Sequence, residues 1–138
     1  MSDQAATAAA TFAEVGEQVR ALLAAIAQAQ DDGRTEDVVS LYADDGIIEV
    51  PGLGASAGSG ALREAFTGWA PAAPQRHLVA NTLLTAWDAG SAAARSDVVL
   101  VKRGAAGWAV ESVARYHDTF RNDGGTWVLA HRRMEFTG

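Results

Sequence analysis

Apolar residues in the first part of the chain recur at the spacing of a helix. The residues at steps of three and four are Phe12, Val15, Val19, Leu22 and Ile26. Such a stripe is typical of a helix with one buried face, and it predicts a helix over about residues 10–31 that ends before Gly33. The residues before it, 1–10, are mostly small or polar and offer no anchor, so we expect them to be flexible.

Two shorter helices and a short strand are predicted next. Thr35 is a candidate N-cap for a helix over 36–42, and Ser59 is a candidate N-cap for a third helix. The buried face of that third helix carries Leu62, Phe66 and Trp69.

The segment between these two helices predicts a strand followed by a loop. Gly46–Val50 is typical of a short strand, and Pro51 closes it because proline cannot donate to a continuing ladder. Residues 52–60 are almost entirely Gly, Ser and Ala, and we expect this stretch to be mobile.

The second half of the chain alternates with a period of two. The pattern predicts four strands, over about 76–87, 91–103, 108–121 and 126–136. Their short connectors are rich in turn residues, which is typical of hairpins and predicts an antiparallel meander. Helices are concentrated in the first half of the chain and strands in the second half, which is typical of the α+β class. We expect about three N-terminal helices on a strongly curved, mainly antiparallel sheet, a cone-shaped α+β barrel with a cavity between the sheet and the long helix.

Composition excludes several classes of protein. A length of 138 residues suits a single domain over 1–138. The net charge of −6 and the scattered 11 Lys and Arg argue against nucleic-acid binding. No apolar run approaches the roughly 18–20 residues of a membrane helix, and Met1–Gln4 does not resemble the start of a signal peptide, so a cytoplasmic protein is expected. With no cysteine and no histidine pair at metal spacing, no metal site is predicted.

His77 is the first candidate for chemistry. Strand alternation places it on one face with Val79, Asn81, Leu83, Thr85 and Trp87. A histidine among apolar residues is either a hydrogen-bonded core residue or a general acid or base, since imidazole titrates near neutral pH. As a base it needs a carboxylate to fix its tautomer. The end of the first helix offers Asp31 and Asp32, and helical periodicity does not choose between them.

Tyr116 and Arg132 are the next candidates. Alternation places Tyr116 on the more apolar face of its strand, where its hydroxyl can act as a donor in the cavity. Arg132 is the one cation on an apolar strand face. It either snorkels or pairs with an acid, or it clamps a substrate carboxylate or enolate.

Several local sequences resemble one family. Asp31–Gly33 before a short helix ending in Leu41–Gly46, together with Gly58–Phe66, Arg115–Asp118 and Asp123–Trp127, resembles the SnoaL-like group of the nuclear transport factor 2-like superfamily. The resemblance implies the cone-like α+β fold and a homodimer. The superfamily hosts dehydratases, cyclases, isomerases and non-catalytic subunits, so the fold alone does not decide the function.

The resemblance implies a His77–Asp31 dyad, similar to that of scytalone dehydratase and a dehydrochlorinase, and the His77-x-x-x-Asn81 spacing matches the latter. Ile26 and Val50 occupy the positions of the catalytic tyrosine and carboxylate of ketosteroid isomerases, so that chemistry is not expected and both become candidate cavity residues.

Two functions follow as hypotheses. The first is a cofactor-independent lyase or isomerase acting on a hydrophobic cyclic or polyketide-like substrate, with Asp31, His77, Tyr116 and Arg132 catalytic. The second is a non-catalytic small-molecule-binding protein or accessory subunit that uses the same cavity. Candidate substrate contacts are Asn81, Phe66, Trp69, Trp87, Trp108, Ile26 and Val50.

Overall fold

The secondary structure follows the predicted order of elements, with one additional short strand in the glycine-rich segment before the third helix. The computed structural model describes residues 10–138, and the predicted flexibility of residues 1–10 therefore concerns, except for Ala10, residues outside the described part. The helices are α1 (Phe12–Asp31), α2 (Thr35–Leu41) and α3 (Ser59–Gly68). The strands are β1 (Tyr42–Val50), β2 (Gly54–Ala57), β3 (Gln75–Trp87), β4 (Ser91–Gly104), β5 (Gly107–Asp123) and β6 (Thr126–Phe136).

The strands form one mixed sheet in the order β2-β1-β6-β5-β4-β3. Strands β3 to β6 are an antiparallel meander, as the short turns predict, while β1 lies parallel to β6 and pairs antiparallel with β2. The predicted α+β class is confirmed. The barrel is an open one, because β2 and β3 remain unpaired edges.

The core lies between the helices and one face of the sheet. Helix α1 packs against β3 and β6 through the predicted stripe, in which Val15, Val19 and Ile26 are fully buried. Leu62 of α3 and Leu129 of β6 are completely inaccessible. Burial of these apolar side chains, rather than local propensity, holds the long helix on the sheet.

Two details of the predicted helix starts are corrected. The N-caps of α2 and α3 are Arg34 and Gly58, so that Thr35 and Ser59 are already inside the helices, and neither cap residue supplies a side-chain hydrogen bond. Helix α1 instead begins with a full capping box, in which the Thr11 hydroxyl accepts from the Glu14 backbone and Glu14 accepts from the Thr11 backbone.

The glycine-rich segment between β1 and α3 is ordered rather than a mobile loop. Gly54–Ala57 forms β2 and pairs with residues 47–50 of β1. Ladder pairing uses only backbone N–H and C=O groups, so the small side chains that suggested mobility do not prevent it.

A bulge in β3 reverses the predicted alternation. Asn81 and Thr82 together oppose the single residue Ser96 of β4, and Asn81 has a left-handed backbone with φ of 54°. At the bulge the Asn81 amide donates to Asp97 at 2.9 Å on the outer face, and Asn81 also borders the groove between α1 and β3. The prediction that Asn81 shares the inner face with His77 is therefore wrong.

Bulges in β5 and β6 also change which side chains lie on the inner face of the sheet. Residue 111 is skipped in the β4–β5 pairing, so Trp108 does not share the inner face with Ser112. Residue 130 is skipped in the β5–β6 pairing, so Leu129 enters the core.

The outer face of the sheet mixes charged side chains with exposed Leu78, Leu83 and Val113. Homodimerisation through this face stays a prediction. Among residues 10–138, no helix is both long and apolar enough to cross a membrane.

The bulge at Asn81 gives a stability prediction. Replacing Asn81 with Val places a β-branched side chain at a positive φ and should lower the free energy of unfolding by about 1–2 kcal/mol in urea titrations. Asn81→Gly is the matched control, because glycine adopts this backbone freely and should be clearly more stable than the Val variant. Equal stability of the two variants would contradict the left-handed bulge.

Candidate active site

A buried carboxylate joins the end of α1 to the start of β3. Asp31 is the last residue of α1, and its side chain is 4% exposed. One of its oxygens accepts from His77 Nδ1 at 2.6 Å and from Gln75 Nε2 at 3.2 Å, and the other accepts from the His77 backbone N–H at 2.8 Å. Three donors satisfy the carboxylate away from water.

This pairing selects the tautomer of the neutral imidazole. An ionised carboxylate can only accept, so Nδ1 of His77 carries a proton, and in the neutral ring the lone pair is then on Nε2. The imidazole is 10% exposed and is held by a second contact through its own backbone. A carboxylate that sets the tautomer in this way is one requirement of a histidine general base.

Asp31 and Asp32, which helical periodicity leaves equivalent, have different surroundings. Asp32 is the C-cap residue, its side chain is 55% exposed, and its nearest cation is Arg34 at 3.5 Å. The structure therefore places Asp31, and not Asp32, beside His77.

A half-open cavity of about 600 Å³ lies between the sheet, the end of α1 and the loop that follows α3. Most of its walls are apolar, and they include Ile48, Val50, Leu53, Trp69, Leu100, Met134 and Phe136. The polar groups in the wall are few: Gln30, Gln75, Ser112, Tyr116 and Arg132, with Lys102 and Glu111 as a further charged pair 3.8 Å apart. Such a site suits a largely apolar small molecule that is oriented by a few polar contacts.

The Asp31–His77 pair is connected to this cavity through Gln75, which is bonded to Asp31 and lies in the cavity wall. His77 is directly opposite Leu100 in the β3–β4 ladder, so its side chain leaves the sheet on the same side as that cavity residue. His77 itself lines a separate groove of about 480 Å³ between α1 and β3.

A second polar group lies in the cavity wall on β5 and β6. Arg132 donates to both oxygens of Asp118, at 2.9 Å and 3.0 Å, with side chains 3% and 0% exposed. The guanidinium lies over the ring of Tyr116, with its central carbon 3.6 Å from the ring centre. Of the predicted alternatives for Arg132, pairing with an acid is the one the structure shows.

The protonation states of this group follow from burial and charge. Burial raises the pKa of Tyr116; Arg132 opposes that rise, while Asp118 and Asp31 add to it. Burial also raises the pKa of Tyr42, whose hydroxyl is buried without a partner in the described chain. Burial disfavours the charged Arg132, but Asp118 and the two tyrosines outweigh this and keep its pKa above the usual arginine value. At neutral pH both tyrosines are thus phenols and Arg132 is a cation.

The predicted substrate contacts divide into two groups. Trp69 and Val50 lie in the cavity wall with Tyr116 and Arg132. The other five residues do not line this cavity, and their assignment is corrected. Phe66 and Ile26 belong to the hydrophobic core, and Trp87 packs against Phe12 at the start of α1. Trp108 is exposed beyond the β5 bulge, and Asn81 lies on the outer face.

Two residues of the site, Gln75 and Asp118, are not predicted from the sequence. Gln75 lies two positions before His77 and shares its face, but it lies one residue before the predicted strand of 76–87. Asp118 shares a face with Tyr116, but its pairing with Arg132 depends on the β6 bulge. In residues 10–138 no group of three or more His, Asp or Glu side chains could hold a metal ion.

Comparisons with known proteins give the family and the fold of the chain. The family described as SnoaL-like domain matches residues 11–133. An Asp-to-Asn variant of Rv3472, a function unknown protein from Mycobacterium tuberculosis, is 27% identical with a TM-score of 0.85, over 92% of this chain and 78% of that one. No curated protein matches significantly.

Two further solved structures show the same fold. An NTF2-like protein with a cystatin-like fold from Novosphingobium aromaticivorans is 22% identical with a TM-score of 0.78, over 87% of this chain and 80% of that one. A protein of unknown function with a cystatin-like fold from Nostoc punctiforme is 22% identical with a TM-score of 0.81, over 92% and 93%.

The Asp31 contact makes a prediction about the His77 tautomer. Imidazole ¹⁵N NMR of the neutral side chain should show the proton on Nδ1. In Asp31→Asn the amide can donate to that nitrogen, so the Nε2–H tautomer should become populated. Asp32→Asn, at the exposed neighbouring carboxylate, is the control and should leave the His77 spectrum unchanged. An Nε2–H tautomer in the wild type would contradict the site.

Proposed function

The chain belongs to the SnoaL-like domain family, which includes dehydratases and cyclases, and on that premise we propose that it is a cofactor-independent lyase or isomerase of the dehydratase or cyclase type. Its proposed substrate is a hydrophobic cyclic or polyketide-like molecule bound in the cavity. The observation that carries the proposal is the buried Asp31–His77 hydrogen bond, which Gln75 connects to the wall of a largely apolar cavity.

In the proposed reaction, His77 acts as the base. Its Nε2 removes a proton from a carbon next to a carbonyl group, and Asp31 holds Nδ1–H and stabilises the imidazolium that forms. The electron pair of the broken C–H bond moves onto the carbonyl oxygen as an enolate. Expulsion of a β-hydroxyl, which takes the proton from His77 and leaves as water, completes a dehydration. Attack of the enolate carbon on a second carbonyl, whose oxygen takes the proton from His77, completes a cyclisation.

Tyr116 is the proposed donor to the enolate oxygen. It lies in the cavity wall, and its raised pKa keeps the hydroxyl protonated at neutral pH, as a donor must be. Arg132 does not bind the substrate directly in this proposal, because both oxygens of Asp118 already occupy its guanidinium. A clamp on a substrate carboxylate is therefore not proposed.

The proposal predicts hydrogen exchange in a simple ketone. In D₂O, the protein should accelerate exchange of the C–H bonds next to the carbonyl of 2-tetralone, a bicyclic probe that the cavity can hold, as followed by ¹H NMR. His77→Gln should slow the protein-dependent exchange by about 10²–10⁴-fold, the usual contribution of a positioned base.

The matched controls are His117→Gln and His131→Gln, on the outer face of the sheet, which should retain the wild-type rate. A His77→Gln variant as fast as the wild type would contradict the proposal. Binding of the probe in equilibrium dialysis without any exchange would instead favour the alternative, a non-catalytic small-molecule-binding protein or accessory subunit.

A further inference from the structure

We propose that Asp118 and Arg132 act together as positioning residues for Tyr116, fixing the direction of its hydroxyl and providing positive charge beside it. This inference rests on the proposed function, in which Tyr116 donates to the enolate oxygen. It gives a role to a buried ion pair that touches neither the base nor, in the proposed reaction, the substrate.

Asp118 fixes the orientation of the guanidinium. Asp118 and Arg132 are directly opposite in the β5–β6 ladder, and the two parallel hydrogen bonds define the plane of the guanidinium as well as its position. Both side chains are almost completely buried, so water does not compete for these bonds.

The guanidinium in turn fixes the tyrosine. Tyr116 precedes Asp118 by two residues on the same face of β5, and a central carbon 3.6 Å from the ring centre places the guanidinium in contact with the ring. A tyrosine side chain has two rotatable bonds before its ring, and contact with a fixed neighbour restrains both. The hydroxyl direction therefore depends on Arg132, and through it on Asp118.

Stability alone is a weak explanation for this pair. A buried ion pair recovers in Coulombic attraction roughly what it loses in desolvation, and well-packed apolar residues often serve the fold equally well. An apolar aromatic residue could supply a planar surface against the ring, but no apolar residue supplies a positive charge held by two hydrogen bonds on the face of the ring and near its phenol. This charge acts on the tyrosine in the cavity wall.

The charged surroundings of Tyr116 make the inference testable. The groups that act on its hydroxyl are Arg132 from β6, Asp118 from β5 and Asp31 from α1, and Arg132 has a larger effect on its pKa than Asp118 has. The chain contains two tyrosines, and the other, Tyr42, has a pKa that burial raises, and it lies close enough to Arg132 for the guanidinium to oppose that rise. Tyr42→Phe removes this second phenol from the titration and leaves Tyr116 as the one titrating tyrosine, and because every variant carries the same change, its effect on Arg132 is common to all of them.

The experiment is a tyrosinate absorbance titration in the Tyr42→Phe background. Asp118→Asn combined with Arg132→Gln removes both charges while retaining polar side chains of similar size. Because Arg132 opposes the rise more strongly than Asp118 supports it, the pKa of Tyr116 should increase in the double variant. A fall toward the ordinary tyrosine value of about 10, or no change, would mean that the pair only fills space and would overturn the inference.

A second, more conservative variant tests the same role in case the double variant does not fold. Arg132→Lys keeps the positive charge but loses the planar surface and the paired hydrogen bonds. With Tyr116 labelled with ¹³C, the ring should flip slowly in the Tyr42→Phe background and faster after Arg132→Lys. Unchanged ring flipping would overturn the positioning role.

Neither measurement needs a substrate, so the two proposals can fail separately. If ketone exchange depends on His77 but the titration and ring flipping do not respond, the function stands and the positioning role is wrong. If the Tyr116 pKa and the ring-flip rate both change but the protein does not accelerate exchange in the ketone probe, the positioning role stands and the lyase proposal is wrong. If both proposals hold, the double variant should lower kcat for exchange with little change in KM.

Discussion

The site depends on one buried carboxylate. A charged oxygen pair inside a protein costs several kcal/mol unless donors surround it, and Asp31 obtains its donors from two residues at the start of β3. The same bonds therefore attach the end of the long helix to the edge strand, select the His77 tautomer and hold Gln75 in the cavity wall. Gly33, with φ of 70°, lets the chain turn away two residues later.

Most of the fold follows from periodicity in the sequence. The stripe of α1 and the four long strands are predicted within a few residues, because burial of one face imposes spacings of 3.6 and 2 that survive without tertiary information. Strand β2 is not predicted, because its backbone pairs with β1 while its small side chains carry no pattern. The bulges are not predicted either, since each depends on how two strands fit together.

The bulges also explain which site residues the sequence could identify. His77 precedes the β3 bulge, so its predicted face is correct, whereas Asn81 lies in the bulge and is turned outward. Without the bulge in β6, the hairpin register would place Asp118 opposite His131 rather than Arg132. Asp31 is preferred to Asp32 because of the family resemblance. At the end of a helix, the apolar periodicity does not show which of two neighbouring acidic residues faces the protein interior.

The Asp31–His77 pair is thus connected through Gln75 to a cavity whose wall also holds a tyrosine in contact with a buried ion pair. The proposed chemistry requires Nε2 of His77 to be the free nitrogen of the ring and to be reachable by a small apolar molecule. Alkylation with α-bromoacetophenone, followed by mass spectrometry of the peptides, tests it directly. His117 and His131 have Nε2 engaged by Glu135 and Glu49, so the account predicts saturable modification of His77 ahead of both. Modification confined to His117 and His131, with His77 untouched, would contradict it.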